Sequence, residues 1–425
     1  MTTSLPRSGP PLNAREKGVP WNVTSVRLEE VPGLNWNILR EDIPLPAAVL
    51  SIDAMRHNSE WMQNFLASSG ASIAPHGKTT MSPELFEMQL SDGAWAITVS
   101  TPHQLQVARS FGVQRIFYAN QLIGKSPIEY VVKELARDPQ FEFYCLIDSF
   151  NNAAQIANCA TAAKQSVRVL VELGFSGGRT GCRSVQEALA LARAVKHFDG
   201  LTLSGIEGFE GIIRGKTYED TLSRVNGFLD EFVTLVEHCE AEHLFTTPPV
   251  LLSAGGSAFF DLVVAKLRQI TTLSEKIILL RSGCYLTHDS VMYRRLLEQL
   301  QARTSSSSGL IPALEVWGYV QSLPEPGRAI VAIGKRDISY DDLPVAEKWF
   351  RPGVMQLPQA VPPDHRVLRL NDQHCYVDIP PNSRWQIGDM IGFGISHPCL
   401  TFDKWRVLHL VDEEYTVVGS VRTYF

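Results

Sequence analysis

Lys78 is a residue whose type and position suggest covalent chemistry. It stands in the segment IAPHGKTT, directly after a predicted strand over residues 71–75. In a barrel of parallel strands, catalytic groups gather at that end of the strands. A lysine there suits a Schiff base with an aldehyde, because its pKa shifts readily when the amine is partly desolvated. An ordinary surface lysine is the alternative, and His76, two residues earlier, either contacts the same ligand or only packs.

A turn of small residues, SAGGS, supplies a candidate anion site later in the chain. It ends the predicted strand 249–256, and the backbone N–H groups of such a turn can point at a phosphate. An ordinary strand-to-helix turn also needs a glycine, but the late strands of a barrel are where phosphate commonly binds. The next strand end, RSGCYLTHD, adds Cys284 and Tyr285. The candidate residues of the turn itself are Ser253, Gly255, Gly256 and Ser257.

The segment GFGISHPCLTFDKW holds a candidate metal pair, His397 and Cys399. In an extended strand this spacing sends both side chains to one face. Imidazole and thiolate are zinc ligands, and two protein ligands would leave positions open for water and substrate, as in a catalytic site. Chance also produces such a pair. The adjacent His374 and Cys375 face opposite ways in a strand and are interpreted as structural.

Composition excludes several other classes of protein. The chain has 425 residues, 44% hydrophobic and 20% charged, and a net charge of -6, so neither disorder, a membrane span nor a nucleic-acid surface is indicated. Its seven cysteines are scattered without the spacing of a disulfide framework, which favours a reducing cytoplasm. The polar, Pro-rich first 20 residues lack the apolar run of a secretory signal.

The elements that must position these residues are a barrel and a β domain. Between residues 48 and 285 short β-branched runs alternate with segments of helical period, such as 184–195 and 221–239, which predicts parallel strands with crossover helices. Nine candidate strands are one more than a (β/α)8 barrel needs, so one strand should lie outside it. After a serine-rich linker at 304–309 the pattern becomes mostly β.

These predictions divide the chain into three parts. Residues 1–45 form an N-terminal segment, partly disordered, that either stands alone or joins the β domain. Residues 46–305 form the barrel, and residues 306–425 form the C-terminal β domain with the candidate metal pair.

Several motifs, in this order, carry a resemblance to a known family. The sequence resembles the D-threonine aldolase and D-serine dehydratase family over roughly residues 45–425. The resemblance implies the fold-type III architecture of alanine racemase: a (β/α)8 barrel that binds pyridoxal 5'-phosphate, a C-terminal β domain, and a homodimer. The motifs are PHGKT, RTGCRS, SAGGS, RSGCYLTHD, PEPGRAI and HPCLTFD.

The resemblance also implies roles for individual residues. Lys78 becomes the Schiff-base lysine, Arg179 lies near the ring hydroxyl of the cofactor, and His397 and Cys399 hold a metal ion. The SAGGS turn, together with Cys284 and Tyr285, corresponds to the loops that hold the phosphate. Two departures affect cofactor contacts: many members have a glutamine at the position of Ser100 and a tyrosine at that of Phe209.

The function implied is a lyase acting on a D-3-hydroxy amino acid such as D-serine or D-threonine. Dehydration followed by release of a 2-oxo acid and ammonia is favoured, because Cys399 is a soft donor that suits Zn²⁺ better than Mn²⁺. Retro-aldol cleavage to glycine and an aldehyde is the alternative. A racemase needs no metal, and a non-catalytic protein that binds pyridoxal phosphate resembles the barrel alone, so the metal pair argues against both.

Overall fold

The computed structural model describes residues 9–304 and 307–425. Residues 1–8 of the predicted N-terminal segment and residues 305–306 of the predicted linker lie outside these ranges. The strands are β1 (Ala47–Ser51), β2 (Ser72–Ile73), β3 (Ile97–Val99), β4 (Arg115–Gln121), β5 (Glu142–Ile147), β6 (Val167–Leu173), β7 (Leu201–Gly208), β8 (Val250–Ser253), β9 (Lys276–Leu280), β10 (Leu314–Glu325), β11 (Arg328–Val331), β12 (Val345–Phe350), β13 (Gln359–Ala360), β14 (Arg366–Leu370), β15 (Cys375–Asp378), β16 (Met390–Gly394), β17 (Val407–Val411) and β18 (Val417–Arg422).

The helices alternate with the strands in the first part of the chain and are sparse in the last part. Two short 3-10 helices cover Leu28–Leu34 and Gly77–Thr79. The α-helices are α1 (Ile52–Ser69), α2 (Pro83–Ser91), α3 (Pro102–Ser110), α4 (Lys125–Arg137), α5 (Phe150–Ala162), α6 (Val185–Val195), α7 (Tyr218–Ala241), α8 (Phe260–Leu267), α9 (Met292–Thr304) and α10 (Pro398–Phe402).

The chain divides into two compact units. The first unit contains Gln63–Lys78 and Gln89–Gly283. The second unit contains the described residues up to Met62, Thr79–Met88 and Cys284–Phe425. The domain limits at residues 45 and 305 stay predictions.

The first unit is a parallel β/α barrel. Its eight strands pair in the order β2-β9-β8-β7-β6-β5-β4-β3. A parallel bridge between His76 and Thr98 joins the chain beyond β2 to β3, and the Thr98 N–H donates to the Pro75 carbonyl at 2.9 Å. The sheet therefore closes on itself, which confirms the predicted (β/α)8 fold.

Apolar side chains fill the barrel, and helices with side-chain caps surround it. The predicted helices at 184–195 and 221–239 correspond to α6 and α7. The hydroxyls of Ser184 and Thr217 each accept a backbone N–H from the first turn of these helices. The buried cluster inside the barrel comprises Ala74, Ala96, Phe117, Tyr144, Leu146, Leu170, Leu251 and Leu279.

The second unit is built on a mixed, mostly antiparallel sheet, and its C-terminal part is mostly β, as predicted. Its main path runs β13-β12-β16-β10-β1-β17-β18, and β11, β14 and β15 extend it from β10. The strand β1 is the ninth candidate from the sequence, and it pairs with β10 and β17 outside the barrel. Residues from the N-terminal part, including Leu12, Val31 and Ile38, pack in one core with Trp317 and Val407. Among the described residues no helix is both long and apolar enough to cross a membrane.

Candidate functional site

The first unit carries a pocket around Lys78, called the Lys78 pocket below. The strand β2 ends before Lys78, which lies in the 3-10 turn Gly77–Thr79 with an exposed side chain. The pocket has a volume of about 290 Å³. Its lining includes His76, Lys78, Ser100, Asn120, Glu172, Arg179, Thr180, Glu207, Phe209, Gly256 and Arg281, which come from the ends of successive barrel strands.

Two buried side chains in contact with each other, Glu207 and Arg281, form one wall of the Lys78 pocket. Arg281 contacts Glu207, and its guanidinium also donates to the Gly208 carbonyl at 3.0 Å. Burial raises the pKa of Glu207 to about 8, against the opposing charge of Arg281. Within the described residues, Nε of Arg281 and Oε2 of Glu207 are buried without a hydrogen-bond partner. This wall therefore offers a donor and an acceptor to a ligand.

The His76 side chain is a neutral imidazole beside three cations. Burial and the charges of Lys78, Arg281 and Arg179 lower the pKa of His76 well below its ordinary value. Its Nδ1 accepts the backbone N–H of Lys78 at 3.4 Å, a long hydrogen bond. The ring is therefore placed to fix the turn that carries Lys78.

Arg179 and Phe209 lie together at the same pocket. The Arg179 guanidinium is 4.6 Å from the centre of the Phe209 ring, within the range of a cation–π contact. Gly256 packs against the Phe209 ring so closely that an added Cβ atom would lie 2.8 Å from it. Ser100, the other departure from the family pattern, has its N–H bonded to the Gln104 side chain at 2.9 Å. Both departures thus line the pocket.

The SAGGS turn is already occupied by an acidic side chain. The N–H groups of Gly255 and Gly256 donate to the buried carboxyl group of Glu210 at 3.1 and 3.2 Å. Gly255 has φ +84°, a conformation that favours glycine. The Ser253 hydroxyl donates to the Leu279 carbonyl at 3.2 Å. The assignment of Ser253, Gly255, Gly256 and Ser257 to a phosphate stays a prediction, and phosphate would compete with Glu210 for two of these amides.

The second unit gathers two thiols, an imidazole and a hydroxyl, called the thiol cluster below. The Sγ atoms of Cys284 and Cys399 are 3.8 Å apart. Thr79 Oγ1 lies 3.5 Å from Cys399 and 3.7 Å from Cys284. His397 precedes α10 and Cys399 lies in its first turn, so the pair is presented by a helix start and not by the extended strand that the spacing predicted.

Asp341 contacts the thiol cluster through His397, and the charges of the group shift the pKa values of His397 and Cys399. The Nδ1 atom of His397 is 2.7 Å from Oδ2 of Asp341. Burial acts to lower the pKa of His397, but Cys399 and Asp341 raise it to about 9. A hydrogen bond from Cys284 and the neighbouring His397 lower the pKa of Cys399 well below its ordinary value, although burial opposes this. The cluster therefore stabilises a thiolate, the form that binds metals.

Two further residues stand beside the thiol cluster. The Tyr293 ring centre is 6.3 Å from that of His397 in an edge-to-face arrangement. Asp289 is fully buried, and its Oδ1 accepts the N–H groups of Val291 and Tyr293 at 2.8 and 3.0 Å. Burial raises the pKa of Asp289 to about 7. Asp289 and Tyr293 therefore place polar groups beside the cluster at the start of α9.

The structure thus separates the predicted residues into two groups. Lys78, His76, Arg179 and Gly256 line one pocket of the first unit. Cys284 and Tyr285 belong to the second unit, where Cys284 contacts Cys399 and Tyr285 is buried. The predicted structural residue Cys375 is buried in β15.

Sequence reasoning missed several residues of both groups. Two signals for buried charges were present in the sequence: the glutamates inside the apolar strand LSGIEGFEG, and Arg281 at the start of RSGCY. No short-range pattern pointed to Asp341 or Tyr293, because only the tertiary fold brings them to His397. The missed residues are Glu172, Glu207, Glu210, Arg281, Asp341, Tyr293 and Asp289.

A closed parallel barrel with a lysine at a strand end, joined in one chain to a mostly β unit, defines the alanine racemase-like class of fold. Two family models match the chain accordingly. "Alanine racemase, N-terminal domain" matches residues 50–269, more than half of the chain, and "Putative serine dehydratase domain" matches residues 313–411. The chain therefore belongs to the alanine racemase N-terminal domain family. The second model and the relatives below confirm the resemblance to the D-threonine aldolase and D-serine dehydratase family that its motifs predicted.

Several curated relatives match at low identity. D-threo-3-hydroxyaspartate dehydratase of Delftia sp. (strain HT23) is 27% identical over 395 residues, which cover 89% of this chain and 96% of the relative. D-threonine aldolase of Arthrobacter sp. is 24% identical over 40% of this chain, and 3-hydroxy-D-aspartate aldolase of Paracoccus denitrificans (strain Pd 1222) is 22% identical over 54%. The matched region spans only 45% and 58% of the lengths of these two aldolases.

Solved structures share the fold. The D-threonine aldolase from Filomicrobium marinum superposes with a TM-score of 0.74 at 21% identity, over 90% of this chain and 95% of that one. The D-threo-3-hydroxyaspartate dehydratase from Delftia sp. HT23 gives 0.69 at 20% identity, over 91% and 99%. At these identities the likeness establishes architecture and not activity.

Proposed function

We propose that this chain is a lyase, dependent on pyridoxal 5'-phosphate and a divalent metal, that converts a D-3-hydroxy amino acid into a 2-oxo acid and ammonia. The observation that carries the proposal is the Lys78 pocket, where an accessible amine shares a cavity with Arg179, Arg281 and Glu207. A lysine amine, arginines and buried unpaired polar atoms form the donor set that an anionic aromatic aldehyde requires.

The residues of the Lys78 pocket fit the cofactor. Lys78 would bind the aldehyde carbon, and Arg179 would face the ring hydroxyl. The unpaired Nε of Arg281 and Oε2 of Glu207 are available to the polar atoms of the ring. When bound, the cofactor supplies an electron sink for a bond broken at the substrate Cα.

Lys78 and His76 have different roles in this proposal: Lys78 handles a proton, and His76 positions Lys78. Lys78 is the amine placed to take the Cα proton, and such positioned bases typically contribute about 10²- to 10⁴-fold to a rate. The neutral His76 ring holds the backbone of Lys78 without adding a charge next to it. The cations Arg179 and Arg281 offset the negative charge of the substrate carboxylate and cofactor.

His397 and Cys399 would hold the metal. Asp341 at Nδ1 leaves Nε2 of His397 as the ligand atom, the arrangement in which a carboxylate orients a metal-binding imidazole. A divalent ion supplies Lewis acidity toward the 3-hydroxyl of the substrate. In support, one solved structure is described as a mutant D-threo-3-hydroxyaspartate dehydratase in the metal-free form, and it gives a TM-score of 0.70 with this chain.

Dehydration is favoured over retro-aldol cleavage by the extent of the sequence matches to curated relatives. The dehydratase sequence match covers 89% of this chain, whereas the two aldolase sequence matches cover 40% and 54%. The soft thiolate of Cys399 points in the same direction, because it suits zinc. The products therefore should be a 2-oxo acid and ammonia, with water leaving from Cβ and a second water releasing the nitrogen.

A panel of substrates tests the proposal. Purified protein supplied with cofactor and zinc should release equal amounts of 2-oxo acid and ammonia from D-serine, D-threonine or D-3-hydroxyaspartate. L-enantiomers and D-alanine, which lacks the hydroxyl, are the controls and should give neither product. Glycine plus aldehyde would instead establish the aldolase outcome, and protein that binds the cofactor without turnover would contradict a lyase.

The proposal includes a homodimer as the working unit, which rests on the resemblance to fold-type III enzymes. Light scattering across a concentration series should give twice the chain mass under assay conditions. A fully active monomer would contradict it.

A further inference from the structure

A second thiol stands next to the metal pair of the proposed function. Cys284 and Cys399 come from distant parts of the sequence, yet their sulfur atoms are 3.8 Å apart. Two thiolates on one tetrahedral zinc, each bonded at about 2.3 Å, are separated by about 3.8 Å. Two cysteines at this distance in a chain without a disulfide framework are more typical of a metal site than of a disulfide.

We propose that Cys284 is a third protein ligand of the metal, so that the site is Cys284, Cys399 and His397 with one open position. The inference rests on the metal site of the proposed function and goes beyond it, because that function requires only the pair. It also gives Cys284 a different role from the phosphate contact that the family resemblance implies.

The orientation of the neighbours supports three ligands. Cys399 lies at the centre, within hydrogen-bonding reach of both Cys284 and His397. Asp341 contacts Nδ1 of the imidazole, which leaves Nε2 as the ring nitrogen for a metal ion. Thr79 approaches both sulfur atoms and is placed as a hydroxyl partner of the thiolates.

Metal binding requires a change in the positions of the ligand side chains. Within residues 9–304 and 307–425, no three His, Cys, Asp or Glu side chains already surround a common point as a finished metal site would. The sulfur separation already equals that of a tetrahedral site, so the movement falls on the angle between the thiols and the His397 ring. Such adjustment accompanies metal binding, since ligand sites are rarely complete before the ion arrives.

Three ligands determine the chemical class of the ion and of its fourth ligand. Two thiolates and one imidazole make a soft donor set, which selects zinc or cobalt over manganese and magnesium. With zinc the three-ligand site is electrically neutral and keeps one position for an oxygen, as catalytic zinc sites do. The oxygen ligand expected there is water or the 3-hydroxyl of the substrate.

X-ray absorption fine structure at the zinc edge tests the ligand count in the wild-type protein. We expect two sulfur atoms at about 2.3 Å and one imidazole nitrogen at about 2.0 Å per zinc. One sulfur atom per zinc overturns the inference and leaves the metal pair of the proposed function intact. A Cys284–Cys399 disulfide contradicts both, because it removes the thiolate of Cys399. Absence of bound zinc overturns both, and failure of the lyase assay with two sulfurs bound contradicts only the proposed reaction.

Variants loaded with cobalt give an independent readout. Cys284→Ser should lose about half of the sulfur-to-cobalt charge-transfer absorption and bind the ion at least about 10- to 100-fold more weakly, a loss already typical for outer-shell changes. Cys159→Ser removes a partly exposed thiol from α5 and is the matched control, with unchanged absorption. If Cys284→Ser is folded by circular dichroism and its cobalt spectrum equals that of the control, Cys284 is not a ligand.

Discussion

The Lys78 pocket and the thiol cluster are assembled in different ways. The pocket draws its side chains from the ends of neighbouring strands in one parallel sheet, so its residues follow the order of the sheet. The thiol cluster draws Thr79, Cys284 and Cys399 from three separated segments of the second unit. Strand ends of a barrel are a regular feature that sequence periodicity reveals, whereas the cluster depends on long-range packing.

The two regions also differ in their electrostatics. The pocket sets buried carboxyl groups against arginines, and burial keeps the pKa of Glu207 high. The cluster sets an imidazole between a thiol and a carboxylate, which holds the pKa of His397 high. The first arrangement suits an anionic organic ligand, and the second suits a soft cation.

The largest effect is expected from removal of the amine in the pocket. Lys78→Ala should lower kcat by at least about 10⁴-fold, because it removes both the bond to the cofactor and the base at Cα. Steady-state assays with the best substrate of the panel measure it. Lys125→Ala, an exposed lysine on α4, is the control and should keep its activity. A Lys78→Ala protein within tenfold of the wild type would refute the assignment.

Removal of the metal is expected to have the next largest effect. Chelation, or Cys399→Ala, should lower kcat by about 10²- to 10⁴-fold, since loss of Lewis acidity toward the 3-hydroxyl costs several kcal/mol at the transition state. The fold should survive, because the second unit has its own apolar core around Trp317. Activity and circular dichroism should be followed together, with zinc restored at the end. Melting on chelation would show a structural metal instead.

A substitution beside the cluster should have a smaller effect, which is expected in the affinity for the metal. Asp341→Asn should weaken zinc binding by about 10- to 100-fold, because the carboxylate orients His397. Calorimetric titration of metal-free protein measures the affinity. Asp342→Asn alters the neighbouring, half-exposed carboxylate and should leave the affinity unchanged. Equal affinities for the two variants would mean that Asp341 does not orient the imidazole.

The smallest effect is expected in the free energy of unfolding of the protein without its cofactor. The Glu207 carboxyl keeps its proton in the folded state up to a pKa of about 8, above its ordinary value of 4.5. Its contribution to the free energy of unfolding is therefore complete below about pH 4.5 and is lost as pH rises through about 8, by at most about 1.4 kcal/mol per pH unit.

Glu207→Gln should flatten this dependence in urea titrations between pH 5 and 8. Glu231→Gln, on the exposed side of α7, is the control. An unchanged slope in Glu207→Gln would show that this carboxyl group is ionised in the folded protein across the range.

Much of the fold was predictable from the sequence. The strands β2 to β9 appear as β-branched runs between amphipathic segments. One of the nine candidate runs was expected outside the barrel, and the structure shows that it is β1. The position of Lys78 after β2 followed from the same pattern. These features depend on local periodicity, which the sequence expresses directly.

The rest depends on contacts that local patterns do not encode. The approach of Cys284 to Cys399, and of Asp341 to His397, is set by packing within the second unit. The short helix α10, which replaces the extended conformation predicted for His397 and Cys399, begins at a proline whose fixed φ suits the first helical position. The contact between the Glu210 carboxyl group and the SAGGS turn joins residues 45 positions apart, so local patterns could not predict it.

Reduction of the cofactor-loaded protein with borohydride tests the central claim most directly. Borohydride makes the bond between a lysine and pyridoxal phosphate permanent, so digestion and mass spectrometry reveal which lysine carries the cofactor. We expect a single labelled peptide containing Lys78, and none in Lys78→Ala. A label on another lysine, or protein that takes up no cofactor, would contradict it.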